Sequence, residues 1–156
     1  MREAAVLSSA RMTAQPQHFK PGEGRNYTLG RITLTFKTAD TGGAYSLCEA
    51  VEPPGAGAGL HRHPTYDETH IIVEGCDECR LGDETLTLGP GEMMFAPRGI
   101  PHSVRSVGPE LGRELIISSP GGVFDAFVAD VAAAAKGGPA ANFRAIAAKY
   151  GIEFLS

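Results

Sequence analysis

An all-β sandwich or barrel followed by two helices is the fold that this sequence predicts, and three patterns predict it. Short apolar runs recur at intervals of about ten residues, the spacing of antiparallel strands in a closed or double-layered sheet. Twenty glycines and eleven prolines in 156 residues supply turns between them. Only near the C-terminal end does the period of two give way to a helical stripe.

Residues 1–18 are small and polar without periodicity, and are expected to form a flexible arm that can lie on a neighbouring subunit. His18 within it reads as a solvated side chain. A single domain is expected over 19–156, with a helical segment at 122–150. From Arg31 to Thr38 the chain alternates, with Ile32, Leu34 and Phe36 on one face and Thr33, Thr35 and Lys37 on the other, the mark of a half-buried strand. Gly42-Gly43 turns into Ala44 to Glu52, where Tyr45, Leu47 and Val51 share a side. Pro53 to Gly59 reads as a loop that delivers the chain to His61. Thr69 to Glu74 and Asp77 to Leu81 pair about Gly75, and Gly82-Asp83 leads into Glu84 to Leu88. Glu92 to Ala96, His102 to Val107 and Arg113 to Ser118 complete the strands. Phe124, Phe127, Val128 and Val131 then recur at i, i+3, i+4 and i+7, a stripe that packs a helix over the outside of the barrel. Gly137-Gly-Pro139 breaks it, and a second helix presents Phe143, Ile146, Ala147 and Tyr150, with Gly151 as its C-terminal cap.

Composition excludes several functions. At 42% hydrophobic residues the chain has enough apolar material for a core. Its formal charge is -4 and it has no lysine or arginine block, so neither nucleic acid nor an anionic membrane is an expected partner. No run approaches the roughly twenty apolar residues of a membrane span, and Met1 to Ala14 lack a signal peptide's apolar stretch, so the expected location is the cytoplasm. Three cysteines, an odd number, argue against a disulfide framework. Cys76 and Cys79 form a Cys-x-x-Cys, but three positions apart on a strand they point to opposite faces and read as ordinary strand thiols, as does Cys48.

The histidines carry the chemistry. His61, His63 and His70 fall within ten positions of one another and His102 stands further on, and imidazoles gathered with a carboxylate are the donor set of a divalent transition metal. His61 and His63 are two apart and project from one face of an extended segment. Glu68 lies five beyond His63, an odd step that needs the turn offered by Pro64 to Asp67. Glu68, His70 and Ile72 then share a side of the next strand, and His102 must arrive from elsewhere in the sheet.

Gly55, His61, His63, Glu68 and Gly75 resemble the first motif of the cupin superfamily at every fixed position. Gly91, Pro97, Gly99 and His102 resemble the second, which usually closes with asparagine where this chain has Ser106. The flanks, including Pro21-Gly-Glu-Gly24, Ser119-Pro-Gly-Gly122 and Lys149-Tyr-Gly-Ile-Glu-Phe-Leu155, are similar to the quercetin dioxygenase-like branch. The resemblance implies a cupin jelly-roll barrel, a metal held by His61, His63, Glu68 and His102, a small-molecule substrate and a homodimer. It implies one divalent ion among iron, manganese, nickel, cobalt and zinc, with positions left open for a substrate or dioxygen. By the same likeness Glu68 is a candidate catalytic base as well as a ligand.

His70 departs from the family, which usually has an aromatic or aliphatic residue there. Three readings stand: a fifth ligand, a catalytic acid or base, or a core histidine satisfied by a backbone carbonyl. Tyr66 and Asp67 read as solvated turn residues, and Arg98, Arg105 and Arg113 as exposed side chains able at most to orient an anion. Of Met93, Met94 and Phe95, at least one is expected to line the cavity and another to pack outward. The expected function is a metal-dependent enzyme acting on a small oxygenated or aromatic molecule, most simply a quercetinase-like dioxygenase. The alternatives are a single-cupin polyketide cyclase or isomerase, and a non-catalytic small-molecule binder.

Overall fold

The computed structural model describes residues 14, 16–37, 41–136 and 143–155. Most of the expected arm and the Gly137-Gly-Pro139 break lie outside these residues.

Among the described residues eleven strands form two antiparallel sheets. They are β1 (Arg25–Leu29), β2 (Ile32–Phe36), β3 (Ser46–Glu52), β4 (Gly57–Arg62), β5 (Asp67–Glu74), β6 (Asp77–Leu81), β7 (Glu84–Leu88), β8 (Met93–Ala96), β9 (His102–Ser106), β10 (Gly112–Ser119) and β11 (Glu153–Phe154). The larger sheet runs β1-β2-β3-β10-β5-β8 and the smaller β11-β4-β9-β6-β7. This is the cupin double-stranded β-helix, in which strands distant in the chain face one another across a shared interior. Two helices follow, α1 (Val123–Lys136) and α2 (Phe143–Lys149). No helix among the described residues is long and apolar enough to cross a membrane.

The interior faces obey the strand period. On β5, Glu68, His70 and Ile72 are all buried, as the spacing requires. On β3 the inward side is Ser46, Cys48, Ala50 and Glu52, while Leu47 and Val51 are half-buried and Tyr45, just before the strand, is exposed. The register explains this choice: Ser46, Cys48, Ala50 and Glu52 lie opposite Ser118, Ile116, Glu114 and Gly112 of β10, so a mixed polar face of one strand meets that of the next. The strand β1 was not among the sequence expectations, because its residues are exposed or half-exposed and its apolar alternation is weak. The chain also enters the sheet at Gly57, earlier than the loop expected up to Gly59. Gly57 lies so close to β9 that a Cβ would sit 2.0 Å from the Val104 carbonyl oxygen, and only glycine fits there.

Two apolar clusters hold the sheets. Ile72, Cys79, Leu88, Met94 and Val104 pack between them, and burial pushes the Cys79 thiol up to about 12. Leu34, Phe36, Cys48, Ala50 and Ile116 pack against Phe127, Val128 and Val131 of α1, the stripe read from the sequence. Gly151 has φ +71, and the amides of Gly151 and Ile152 donate to the carbonyls of Ala148 and Ala147, which closes α2 as its capping role requires.

Candidate metal centre

His61 at the end of β4 pairs directly with His102 at the start of β9. His63 follows just beyond β4, and Glu68 enters from β5 in the other sheet. The four side chains are buried, and one donor atom from each lies within 4.8 Å of all the others. Fixed backbone acceptors orient every ring. His61 Nδ1 donates to the Gly59 carbonyl at 2.8 Å, His63 Nδ1 to that of Tyr66 at 2.9 Å, and His102 Nδ1 to that of Ile100 at 3.0 Å. A ring that keeps a single proton at Nδ1 carries its lone pair on Nε2, which for His63 and His102 is the nitrogen beside Glu68.

That tautomer makes the donor set fit a cation. His63 Nε2 and His102 Nε2 are 3.2 Å apart, and each lies 3.2 Å from Glu68 Oε2. Lone pairs brought this close repel unless a positive charge is shared among them, and three imidazoles with one carboxylate are donors that a first-row divalent ion accepts. The group could therefore hold a metal ion, as the resemblance to the cupin motifs implies. Burial, with the neighbouring His102, lowers the His61 pKa to about 4, so this ring is neutral and ready to coordinate near pH 7. Glu68 is ionised: burial opposes its charge, but contacts from His102, His63 and His70 prevail and hold it well below the usual carboxylate range.

His70 lies beside this group without belonging to it. Its Nδ1 stands 2.8 Å from Glu114 Oε2 and its Nε2 3.3 Å from Glu68 Oε2. Burial disfavours its charge, but Glu114 and then Glu68 outweigh it and hold the ring well above the ordinary histidine range. Its partners are two carboxylates, not the backbone carbonyl expected of a core histidine. Glu68 Oε1 accepts from Ser118 Oγ at 3.2 Å, so both of its oxygens are engaged.

A cavity of about 390 Å³ opens from the centre. His61, Tyr66, Glu68, His70, Glu52 and Glu114 supply its polar or ionisable side chains, and the rest of the wall is mostly aliphatic and aromatic. Phe124, Phe127 and Val131 of α1 and Phe143 of α2 reach it, so the helical stripe serves the cavity as well as the core.

Several expectations are corrected here. Tyr66 is not a solvated turn residue: it is 1% exposed and stacks on His63 with ring centres 3.8 Å apart and planes 8° from parallel. Asp67 accepts from Arg98 Nε, Nη2 and backbone N, which pins the turn before β5 to the Pro97–Gly99 loop. Arg105 pairs with Glu78, and Arg113 with Glu74 and Glu49, and among the described residues no arginine lines the cavity. Met94 is buried in the apolar cluster between the sheets and does not line the cavity, while Met93 and Phe95 are exposed. Glu52 and Glu114 were missed. Glu114 alternates with Ile116 and Ser118 along its strand, a signal for an inward carboxylate that went unused.

Residues 49–118, which span the whole donor set, match the family model described as the cupin domain. The chain has the cupin fold. An uncharacterized protein of Methanocaldococcus jannaschii, MJ1618, is 33% identical over 63 residues, 40% of this chain and 50% of that one. The polyketide synthase CurC of Streptomyces cyaneus is 29% identical over 104 residues, 67% of this chain and 66% of that one. The alignments thus span half of the first relative and just under two thirds of the second. Among solved structures, KdgF from Halomonas sp. superposes with a TM-score of 0.63 at 22% identity, over 69% of this chain and 96% of that one, and an RmlC-like cupin from Shewanella frigidimarina with a TM-score of 0.60 at 19% identity, over 70% of this chain and 96% of that one, so both share the fold.

Proposed function

We propose that this cupin is a divalent-metal-dependent enzyme that moves protons on a small, largely apolar, oxygenated ring compound, as a polyketide cyclase or isomerase does. The observation that carries the reading is the place of Glu68: it belongs to the candidate metal group, lines the apolar cavity and contacts the buried His70–Glu114 pair. The similarity to CurC supports the same substrate class.

A bound divalent ion supplies Lewis acidity for an oxygen of the substrate. The chain's own residues supply the rest. The aromatic and aliphatic wall binds the ring and excludes water, which strengthens every electrostatic contact at the centre. Glu68 takes a proton from a substrate hydroxyl or activated carbon and returns it elsewhere on the product, so no net proton is consumed. His70, charged between two carboxylates, donates from Nε2 toward Glu68 Oε2 and steadies that oxygen when it is ionised. Ser118 does the same for Oε1.

Quercetinase-like dioxygenation is the second reading, favoured by a four-donor set that leaves positions of an octahedral ion free. One experiment separates the two. Protein loaded in turn with iron, manganese, nickel, cobalt and zinc is assayed with a flavonol and with an aromatic polyketide intermediate, in air and under anaerobic conditions. Cyclisation or isomerisation that proceeds without oxygen supports the first reading, and metal-dependent oxygen uptake supports the second. Absence of turnover under all conditions leaves a metal-dependent binder. The homodimer is also a proposal. Met93 and Phe95, 54% and 49% exposed on β8 at an edge of the larger sheet, support it, and sedimentation of native protein against Phe95→Lys tests it.

A further inference from the structure

The buried ionisable groups of the larger sheet lie on one diagonal that begins at the candidate metal centre. Glu68 and His70 are on β5. Register places His70 opposite Ile116 and Glu114 opposite Ile72, so His70 and Glu114 are diagonal neighbours and meet at 2.8 Å. The same geometry continues to β3, where Ala50 faces Glu114 and Glu52 faces Gly112, and Glu52 becomes the next diagonal neighbour on the inward side.

Glu52 differs from the groups before it. It is 4% exposed, its Oε2 is buried with no hydrogen-bond partner, and it lines the same cavity as His61 and Glu68. Asp77 Oδ1 and Ser106 Oγ are also buried and unpartnered, and both crowd the Gly112 backbone, where a Cβ would meet them at 3.6 and 2.9 Å. Neither lines the cavity, so among the described residues Glu52 is the cavity-lining group with a spare buried oxygen. Buried polar atoms are normally satisfied, and one facing a cavity is satisfied by what enters it. Burial, together with Glu114 and Asp77, pushes the Glu52 pKa up to about 8, so near neutral pH this carboxyl mostly keeps its proton and can both donate and accept.

We propose that Glu52 is a second polar anchor of the cavity, which hydrogen-bonds a hydroxyl or carbonyl oxygen at the far end of a substrate whose near oxygen lies at the candidate metal centre, where His61 and Glu68 line the same cavity. Substrates of this site are then elongated aromatic compounds oxygenated at both ends, with an apolar body held by Phe124, Phe127 and Ile116. The assignment rests on the metal-centred reading above for the near end and on Glu52 alone for the far end.

Calorimetric titration of the zinc-loaded full chain with 4,4'-dihydroxybiphenyl and with 4-phenylphenol tests it, because the two probes differ only in the far hydroxyl. The diol is expected to bind about tenfold more tightly, the worth of one well-made buried hydrogen bond. Glu52→Leu is expected to bring the ratio close to one while 4-phenylphenol still binds. Glu52→Gln, which keeps a donor and an acceptor, retains part of the preference. Equal affinities in the native protein, a preference that survives Glu52→Leu, or failure of the diol to bind would each overturn the proposal. Repeating the titrations on metal-free protein separates the two readings. An unchanged 4-phenylphenol affinity without zinc counts against the metal centre, whereas the diol-to-phenol ratio reports on Glu52 alone.

Discussion

His70 and Glu114, 44 residues apart in sequence, meet at 2.8 Å inside the barrel with both side chains almost wholly buried. The other ring nitrogen of His70 faces Glu68, so one imidazole links a carboxylate of the candidate metal centre to a carboxylate outside it. Outer groups of this kind orient a ligand and tune its charge.

Replacing Glu114 by Gln leaves a cation in the interior with less compensation. Breaking a buried pair by removing one partner costs about 3–5 kcal/mol, and glutamine, which keeps a hydrogen bond, is expected near the lower limit. Urea unfolding of metal-free protein measures this. In the double variant His70→Phe, Glu114→Gln the loss is expected to shrink, because the stranded charge is gone. Zinc affinity by chelator competition is expected to fall roughly tenfold in Glu114→Gln, in keeping with other losses of a ligand-orienting partner.

Tyr66 packs its ring flat on His63 while its carbonyl accepts the His63 Nδ1 proton. The backbone contact survives any substitution, so the side chain can be tested by itself. Tyr66→Ala is expected to destabilise the protein by about 3–5 kcal/mol, as large aromatic truncations in cores do, and to weaken zinc binding through a looser imidazole. Tyr66→Phe, which keeps the stack, is expected to stay within about 1 kcal/mol of the native protein. Thermal or urea unfolding of the two variants side by side decides whether the ring or the hydroxyl matters.

The strand period put His61 with His63 and Glu68 with His70, and an odd step announced a turn, while the likeness to the two cupin motifs picked His61, His63, Glu68 and His102 out of that gathering. The positions of most strands and the helical stripe followed from turn residues and periodicity in the same way, whereas the order of the strands in the two sheets did not. Tyr66 was not legible, since its burial depends on where His63 stands in space and a turn residue is ordinarily wet. Glu52 and Glu114 were missed for a related reason. Carboxylates are rarely interior, so strand alternation alone gave no cause to place them beside a charged histidine. Nor does a helical stripe reveal whether it meets a filled core or a cavity, and here Phe127 does both.

Glu52 sets a pH trend. Its pKa is pushed from 4.5 up to about 8 in the folded protein, so the fold favours the protonated form. Below pH about 4.5 folded and unfolded chains both hold the proton and nothing is lost; as pH rises toward 8 the unfolded chain ionises first and native stability falls. Glu52→Gln removes this penalty. The variant is expected to match the native protein near pH 4 and to exceed it by roughly 2–4 kcal/mol at pH 8, read from urea midpoints across the range. Asp77, raised to about 6 by burial and by Glu114, leaves a smaller trend of the same sign in the variant.

Anomalous diffraction from crystals soaked in cobalt chloride addresses the metal centre most directly. One peak is expected among His61, His63, Glu68 and His102, about 2.0–2.2 Å from the three Nε2 atoms and from a Glu68 oxygen, with the Nδ1 contacts to Gly59, Tyr66 and Ile100 kept. The three imidazoles turned away from one another, with no peak between them, would contradict it.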